Sequence, residues 1–242
     1  MLKRTIGILL SVVMVFGLIG AGAALAADEA PEEAPCGVLL FQGHGSVRIT
    51  TPEGKVIYVD PYAGEGYDLP ADLILITHAH QDHTKVDLIT NRNDDCQIIT
   101  YVEALEGGEH QTFELDYVTV QAVEAGYNKN HDVNSCVGYV LTLSDGVKVY
   151  LSGDTSTTEQ MAEMKDMNID YAFFSCDGRF NMDRAEASAC AELVGARHSI
   201  PSHLAPGSLY DEAIAEEFEA EGRILFPAGE ELELLSAEDE GE

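Results

Sequence analysis

Three histidines and one aspartate crowd into six residues, His78-Ala79-His80-Gln81-Asp82-His83, directly after the apolar run Leu73-Ile74-Leu75-Ile76-Thr77. Imidazole and carboxylate are the side chains that suit Zn2+, and a loop can turn alternate residues toward one point. Polar groups this dense at the end of a core strand would be costly to bury unless they share a partner. A solvated polar turn is the plain alternative, but H-x-H-x-D-H is far more specific than a lone H-x-H. The chemistry indicated is metal binding. Other chemistries lack their residues here: there is no G-x-S-x-G elbow for a serine hydrolase. Gly153-Asp154-Thr155 does not belong to the G-x-x-x-x-G-K pattern of a phosphate loop. No C-x-x-C supports a thiolate zinc site.

Such a site needs strands that end together, and the surrounding pattern supplies them. LILIT at 73–77 reads as a strand buried on both faces. The β-rich runs VLLF, SVRIT and KVIYVD precede it, separated by Gly43 and Gly45 and then by Pro52, Glu53 and Gly54. Further strands are expected near 97–101, 117–123 and 170–175, with VGYVLTLS and KVYLSG forming a hairpin about Asp145-Gly146. Helices are expected over 86–91, 157–166, 183–194 and, acidic and amphipathic, 208–221. The strands RILF and ELELL follow, around the turn from Pro227 to Gly229. No repeat or linker interrupts residues 37–242, which read as one α/β domain with strands dominating its first half.

Thr77 to His83 spells T-H-x-H-x-D-H, and in this the sequence resembles the metallo-β-lactamase-fold superfamily of metal-dependent hydrolases. The resemblance runs from about Gly37 to Leu235. It is closest to the small single-domain hydrolases of the ascorbate-6-phosphate-lactonase-like branch, on G-H-G-S at 43–46, YVDPY at 58–62, DYAFFSCDGRFNM with IPSHL, and FPAGEELEL. Cys176-Asp177 departs from that branch, which more often carries apolar residues or Gly there.

The resemblance implies a four-layer αββα sandwich with two zinc ions between its sheets. His78, His80 and His131 would hold one ion, Asp82, His83 and His203 the other, and Asp154 would bridge them. Asp60, followed by Pro61, matches the family residue that fixes a ligand histidine. Two Zn2+ ions ~3.5–4 Å apart would share a water, lower its pKa toward ~7 and so supply hydroxide for attack on a carbonyl or phosphorus. Asp82 would also orient the nucleophile or carry a proton to the leaving group. With only Asp82 and Asp154 ionised the site would carry about +2 and attract an anionic substrate group.

Three substrate contacts are candidates beside these. Arg179 could anchor a carboxylate or phosphate, His44 could approach the metals from its glycine-flanked turn, and Tyr127 could face an oxyanion. His110 is expected in solvent and His198 packed at the start of a strand. The function implied is dinuclear zinc-dependent hydrolysis of a small-molecule lactone, ester or amide, or of a phosphodiester. A metal-binding sensor or scavenger on the same fold is the alternative, and di-iron oxygen chemistry a third.

The ends of the chain carry a different message. Lys3 and Arg4, the apolar run from Ile6 to Ile19 and the A-x-A triplet Ala24-Leu25-Ala26 make residues 1–26 a secretory signal. Cleavage after Ala26 is expected, giving a secreted or extracytoplasmic protein, with membrane contact only if the segment stays as an anchor. Residues 27–36 read as an acidic tether. The chain has 43 Asp plus Glu against 13 Lys plus Arg, a net charge of −30. Such a surface repels nucleic-acid backbones and anionic lipid, so no nucleic-acid partner is expected. Four of the acids lie in 28–33 and 13 in 211–242, away from the histidine motif. The five cysteines are too scattered for a disulfide scaffold. Cys136, Cys176 and Cys190 sit among apolar neighbours and are expected to be buried.

Overall fold

Two six-stranded sheets face each other across an apolar core. The computed structural model describes residues 36–237; the expected signal, the tether up to residue 35 and residues 238–242 lie outside the described residues. The first sheet is built from β1 (Gly37–Gly43), β2 (Ser46–Thr50), β3 (Val56–Val59), β4 (Ala71–Ile76), β5 (Arg92–Thr100) and β12 (Glu231–Leu234), in the order β12-β1-β2-β3-β4-β5. The second contains β6 (Thr112–Leu115), β7 (Val118–Glu124), β8 (Val137–Leu143), β9 (Lys148–Leu151), β10 (Tyr171–Ser175) and β11 (His198–Ser202), in the order β11-β10-β9-β8-β7-β6.

Each sheet is antiparallel over one part and parallel over the other. In the first, β3, β4 and β5 run parallel; in the second, β9, β10 and β11 do. Parallel strands deliver their C-terminal ends to one edge of a sheet, and ligands gather where such ends meet.

Strand periodicity decides what each face buries. In β4, Leu73 and Leu75 join the core between the sheets, while Ile74 and Ile76 pack outward with Tyr58 and Ile89. Two buried faces explain why this strand reads as an unbroken apolar run. From the second sheet, Val120, Tyr139, Leu141, Leu151 and Phe173 meet the same central core. Val140, Tyr150, Ala172 and Phe174 point to the opposite side, against helix α2 (Arg184–Val194). Each buried Leu or Ile contributes about 1.5–3 kcal/mol.

The outer helical layers are thin. Helix α2 presents Ala187, Cys190, Ala191 and Val194, one face at helical spacing. Asp183 caps it by accepting from Glu186 N at 2.9 Å, and Gly195 closes it with φ of 62°. The other α-helices, α1 (Tyr101–Ala104) and α3 (Glu212–Ala215), are single turns. Sandwich and flanking helices together give the four-layer arrangement that the resemblance implied.

Several local expectations are corrected. The expected helix over 157–166 is two 3-10 turns, Gln160–Ala162 and Met164–Met167. Buried Met161 and Met164 are three residues apart, which a three-residue turn places on one side. The acidic helix expected over 208–221 is reduced to α3, because Glu212–Glu216 and Glu217–Glu221 set like charges at helical i,i+4 spacing. Residues 86–91 hold only the 3-10 turn Val86–Leu88. RILF forms no strand beyond the isolated bridge of Arg223 with Ser199, whereas ELEL pairs with β1 as β12. Strand β6 was not expected; its alternating half-exposed pattern is short and sits at a sheet edge. Cys136, Cys176 and Cys190 are buried, as expected.

Candidate metal centre

The strand ends meet at one edge of the sandwich, and the sequence places its polar residues just beyond them. Thr77 to His83 leave β4, Asp60 leaves β3, Asp154 follows β9, Asp177 follows β10 and His203 follows β11. His131 comes from the loop after β7, and His44 from the turn between β1 and β2. The backbone is held in uncommon conformations here. His44, Asp60, Tyr127 and His203 have φ of 59°, 46°, 59° and 47°, the left-handed region that non-glycine residues rarely adopt. Gly153 has φ of 59°, and a Cβ there would stand 2.7 Å from Val137 O and 3.1 Å from Thr77 Cβ. A glycine therefore lets the chain pass Thr77 closely enough to deliver Asp154.

Two donor groups result, and they lie against one another. His78, His80, His131 and Asp154 form the first, and His44, Asp82, His83 and His203 the second; within each, one donor atom per residue lies within 4.8 Å of the others. Asp154 joins the two. Its Oδ2 is 3.2 Å from His131 Nε2 and 3.5 Å from His203 Nε2, and its Oδ1 is 3.5 Å from His83 Nε2. The structure thus brings together all seven residues expected as ligands and adds His44 to them.

The far side of each ring determines which nitrogen is free. Asp60 Oδ2 accepts from His83 Nδ1 at 2.8 Å and from Thr77 Oγ1 at 2.6 Å, and Asp60 Oδ1 accepts from Thr77 N at 2.8 Å. With its hydroxyl proton given to Asp60, Thr77 Oγ1 accepts from His78 Nδ1 at 3.0 Å. Asn128 Oδ1 lies 3.1 Å from His131 Nδ1, and Asp177 Oδ2 lies 3.3 Å from His203 Nδ1. At His78, His83 and His131 the contact leaves Nε2 as the lone pair facing the centre, the tautomer control that metal ligands use, while Asp177 faces His203 as an ion-pair partner. His80 presents Nδ1 at 3.0 Å from His78 Nε2.

These donors fit a cation. The buried atoms His83 Nε2, His203 Nε2 and Asp154 Oδ1 have no hydrogen-bond partner among the described residues. Leaving such atoms unpaired costs about 1–3 kcal/mol each. Tetrahedral zinc with ligand bonds of about 2.0–2.1 Å would set neighbouring donors roughly 3.3–3.4 Å apart; His131, His83 and His203 lie 3.2–3.5 Å from Asp154, and His78 4.0 Å. Imidazole and carboxylate are donors that zinc accepts.

The electrostatics point the same way. Burial pushes His78 down to about 2, reinforced by the neighbouring His83, and burial also lowers His80. Burial acts against charge on His83 as well, but Asp154 and Asp60 override it and raise this ring to about 9. Asp154 resists its own burial, with His203 and His83 holding it well below the usual carboxylate range. The carboxylates make a pocket that favours positive charge at its centre.

The substrate candidates stand differently. His44 is fully buried, with Nε2 3.2 Å from Asp82 Oδ2, so it lies inside the cluster rather than at a rim. Arg179 is exposed, its guanidinium 4.9 Å over the ring of the adjacent Phe180. Tyr127 is 45% exposed, lines the cleft before His131 and donates its hydroxyl to Glu124 Oε1 at 3.0 Å. His110 is exposed, and His198 opens β11 half-buried with its ring 5.0 Å from that of Tyr171. Sequence reasoning missed three supporting residues: Thr77, Asn128 and Asp177. Asp177 left a signal, since an Asp just before Gly178 favours a turn in which its side chain accepts from following amides. Its Oδ1 accepts from the amides of Arg179, Phe180 and Asn181 at 2.8, 2.8 and 3.0 Å. The carboxylate also bears on the expected local charge. Asp60 and Asp177, added to Asp82 and Asp154, would offset the charge of two divalent cations if two were bound.

Residues 39–203 match the family described as the beta-lactamase superfamily domain. A UPF0173 metal-dependent hydrolase from Thermococcus kodakarensis is 31% identical over 227 residues, covering 80% of this chain and 98% of that protein. The crystal structure of a Parabacteroides distasonis protein superposes with a TM-score of 0.66 at 26% identity, covering 78% of this chain and 92% of the other. Igni18, a metallo hydrolase from Ignicoccus hospitalis, shares the fold with a TM-score of 0.66 at 21% identity, covering 83% of this chain and 99% of its own. The family match, the close relative and the donor set at the strand ends agree: the chain belongs to the UPF0173 metal-dependent hydrolases of the beta-lactamase superfamily.

Proposed function

We propose that the chain is an exported, dinuclear zinc-dependent hydrolase that cleaves with water the acyl C–O or C–N bond of a small lactone, ester or amide, with a phosphodiester as the less favoured substrate. The observation that carries this reading is Asp154, a buried carboxylate whose two oxygens address both donor groups. Two Zn2+ ions, when bound there, supply Lewis acidity and a water of lowered pKa.

The chain's own residues divide the remaining work. Asp82 has a side chain 38% exposed, against 3% for Asp154, so it is the carboxylate of the centre that solvent and substrate can reach. It is suited to orient the nucleophile and to carry a proton to the leaving group. His80 is exposed and marks the open side. The two loops that carry Tyr127 and Val133 on one side and Phe180 on the other are linked by Asn130 Nδ2 donating to Phe180 O at 3.2 Å. Exposed Tyr127, Val133 and Phe180 can pack an apolar portion of the substrate. With the charge of two bound cations offset, recognition of an anionic group falls to the exposed Arg179. The resemblance to the ascorbate-6-phosphate-lactonase-like branch favours carbonyl chemistry. Export rests on the signal pattern of residues 1–26.

Metal analysis of the purified chain should return two zinc per chain. A panel of lactones, thioesters, amides and phosphodiesters should then show turnover that His80→Ala abolishes. Full metal content with no turnover across the panel would replace the enzyme with a sensor or scavenger. N-terminal sequencing of protein from the culture fractions should begin at Ala27; an intact Met1 inside the cell would remove export and leave the chemistry standing.

A further inference from the structure

His44 is held as firmly as any ligand of the centre. Its N–H donates to Leu209 O at 2.7 Å, and its carbonyl accepts from His203 N at 2.8 Å. The ring lies 3.6 Å, centroid to centroid, from that of His203 and is fully buried. Gly45, the next residue, brings the turn against His83: a Cβ there would stand 3.1 Å from His83 Cε1.

Its two nitrogens face two acceptors. Nδ1 is 3.1 Å from Ser208 O, and Nε2 is 3.2 Å from Asp82 Oδ2. A carbonyl oxygen can only accept, so Nδ1 carries the proton, and in the neutral ring Nε2 is a lone pair aimed at a carboxylate oxygen. Two lone pairs at that distance repel unless a cation lies between them. The same arrangement recurs at His78, His83, His131 and His203, whose Nδ1 atoms face Thr77, Asp60, Asn128 and Asp177 and whose Nε2 atoms face inward. Nε2 of His44 and Nε2 of His203 lie 3.2 Å and 3.9 Å from Asp82 Oδ2, and one donor atom each of His44, Asp82, His83 and His203 lies within 4.8 Å of the others.

We propose that His44 Nε2 is a direct ligand of the metal held by Asp82, His83 and His203. The assignment rests on the metal-hydrolase reading and deepens it. The second group then holds its ion through four residues of its own besides Asp154, while the first has three histidines and Asp154. The competing cation is a proton, which would make His44 an imidazolium that only positions Asp82.

Nitrogen NMR of the full chain, labelled with 15N-histidine and loaded with 113Cd, separates these. Cadmium coupling is expected at Nε2 of His44 as well as at His78, His80, His83, His131 and His203. Coupling at those five but not at His44 overturns the assignment and leaves the dinuclear reading intact. A chain that takes up no cadmium overturns both. As a second measurement, His44→Ala should weaken one of two cadmium equivalents at least about tenfold in chelator competition, the lower end of what even an outer partner of a ligand costs, while the other equivalent is kept. Two equivalents of unchanged affinity would show that His44 is no ligand.

Discussion

Asp177 Oδ2 lies 3.3 Å from Nδ1 of His203, while Oδ1 of the same carboxylate accepts from three successive amides of the loop that carries Arg179. One side chain therefore fixes a candidate ligand and shapes a candidate substrate loop. Burial acts against its charge, but the contact with His203 and the three amides hold it down to about 2.

Asp177→Asn keeps an oxygen for the amides and removes the carboxylate charge opposite His203. Metal affinity measured by chelator competition should fall about 10–100-fold, the usual cost of losing such a partner, with little change in melting temperature. Unaltered affinity would mean that His203 keeps its orientation without this carboxylate.

Thr77 stands between His78 and Asp60, accepting from one and donating to the other. Thr77→Val retains the shape and deletes both hydrogen bonds, leaving His78 Nδ1 without its acceptor. A stability loss of about 1–3 kcal/mol is expected in urea unfolding of the metal-free chain, together with weaker metal binding. A variant as stable as the parent would show that the bridge through Thr77 contributes nothing.

Arg179 tests substrate charge. Arg179→Ala should raise KM for an anionic substrate and spare a neutral analogue, with metal content unchanged. Equal kinetics on both substrates would remove Arg179 as an anchor.

Asp72 gives a pH dependence away from the centre. Its Oδ1 accepts from Lys55 Nζ and Asn93 Nδ2, and its Oδ2 from Val56 N, each at 2.9 Å. Burial would raise this carboxyl, but those bonds outweigh it and lower the pKa below its ordinary 3.8. A carboxyl more acidic in the folded chain stabilises fully above the unfolded value, and that contribution is lost as pH falls through the folded one. Asp72→Asn should therefore cost about 1–3 kcal/mol at pH 7. In urea titrations the gap to the parent should shrink below roughly pH 4, the ordinary aspartate range; a gap constant down to acid pH would refute this assignment.

Much of the fold was legible because strand patterns are local. β4 reads as an apolar run since Leu73 and Leu75 face one core and Ile74 and Ile76 another. The helix expected over 183–194 agrees with α2 to within a residue, and the structure shows Asp183 capping it and Gly195 ending it. Over 157–166 the sequence predicts a helix and the structure has two 3-10 turns, because a spacing of three between Met161 and Met164 serves a 3-10 turn as well as an α-helix. The acidic helix over 208–221 failed because its glutamates repel along the very face that a helix would expose.

The sequence by itself determined which donors exist and that strands deliver them: His78, His80, Asp82 and His83 follow a buried strand, and backbone periodicity makes that a local fact. Only the tertiary structure decided which nitrogen of His44, His83 and His203 faces inward, because the acceptors opposite their far nitrogens come from distant segments. Asp60 lies 23 residues from His83, and Ser208 lies 164 from His44. His44 itself shows the difference most clearly. In the chain it is one polar residue between two glycines; in the fold its backbone is clamped to Leu209 and His203 and its ring is aimed at Asp82.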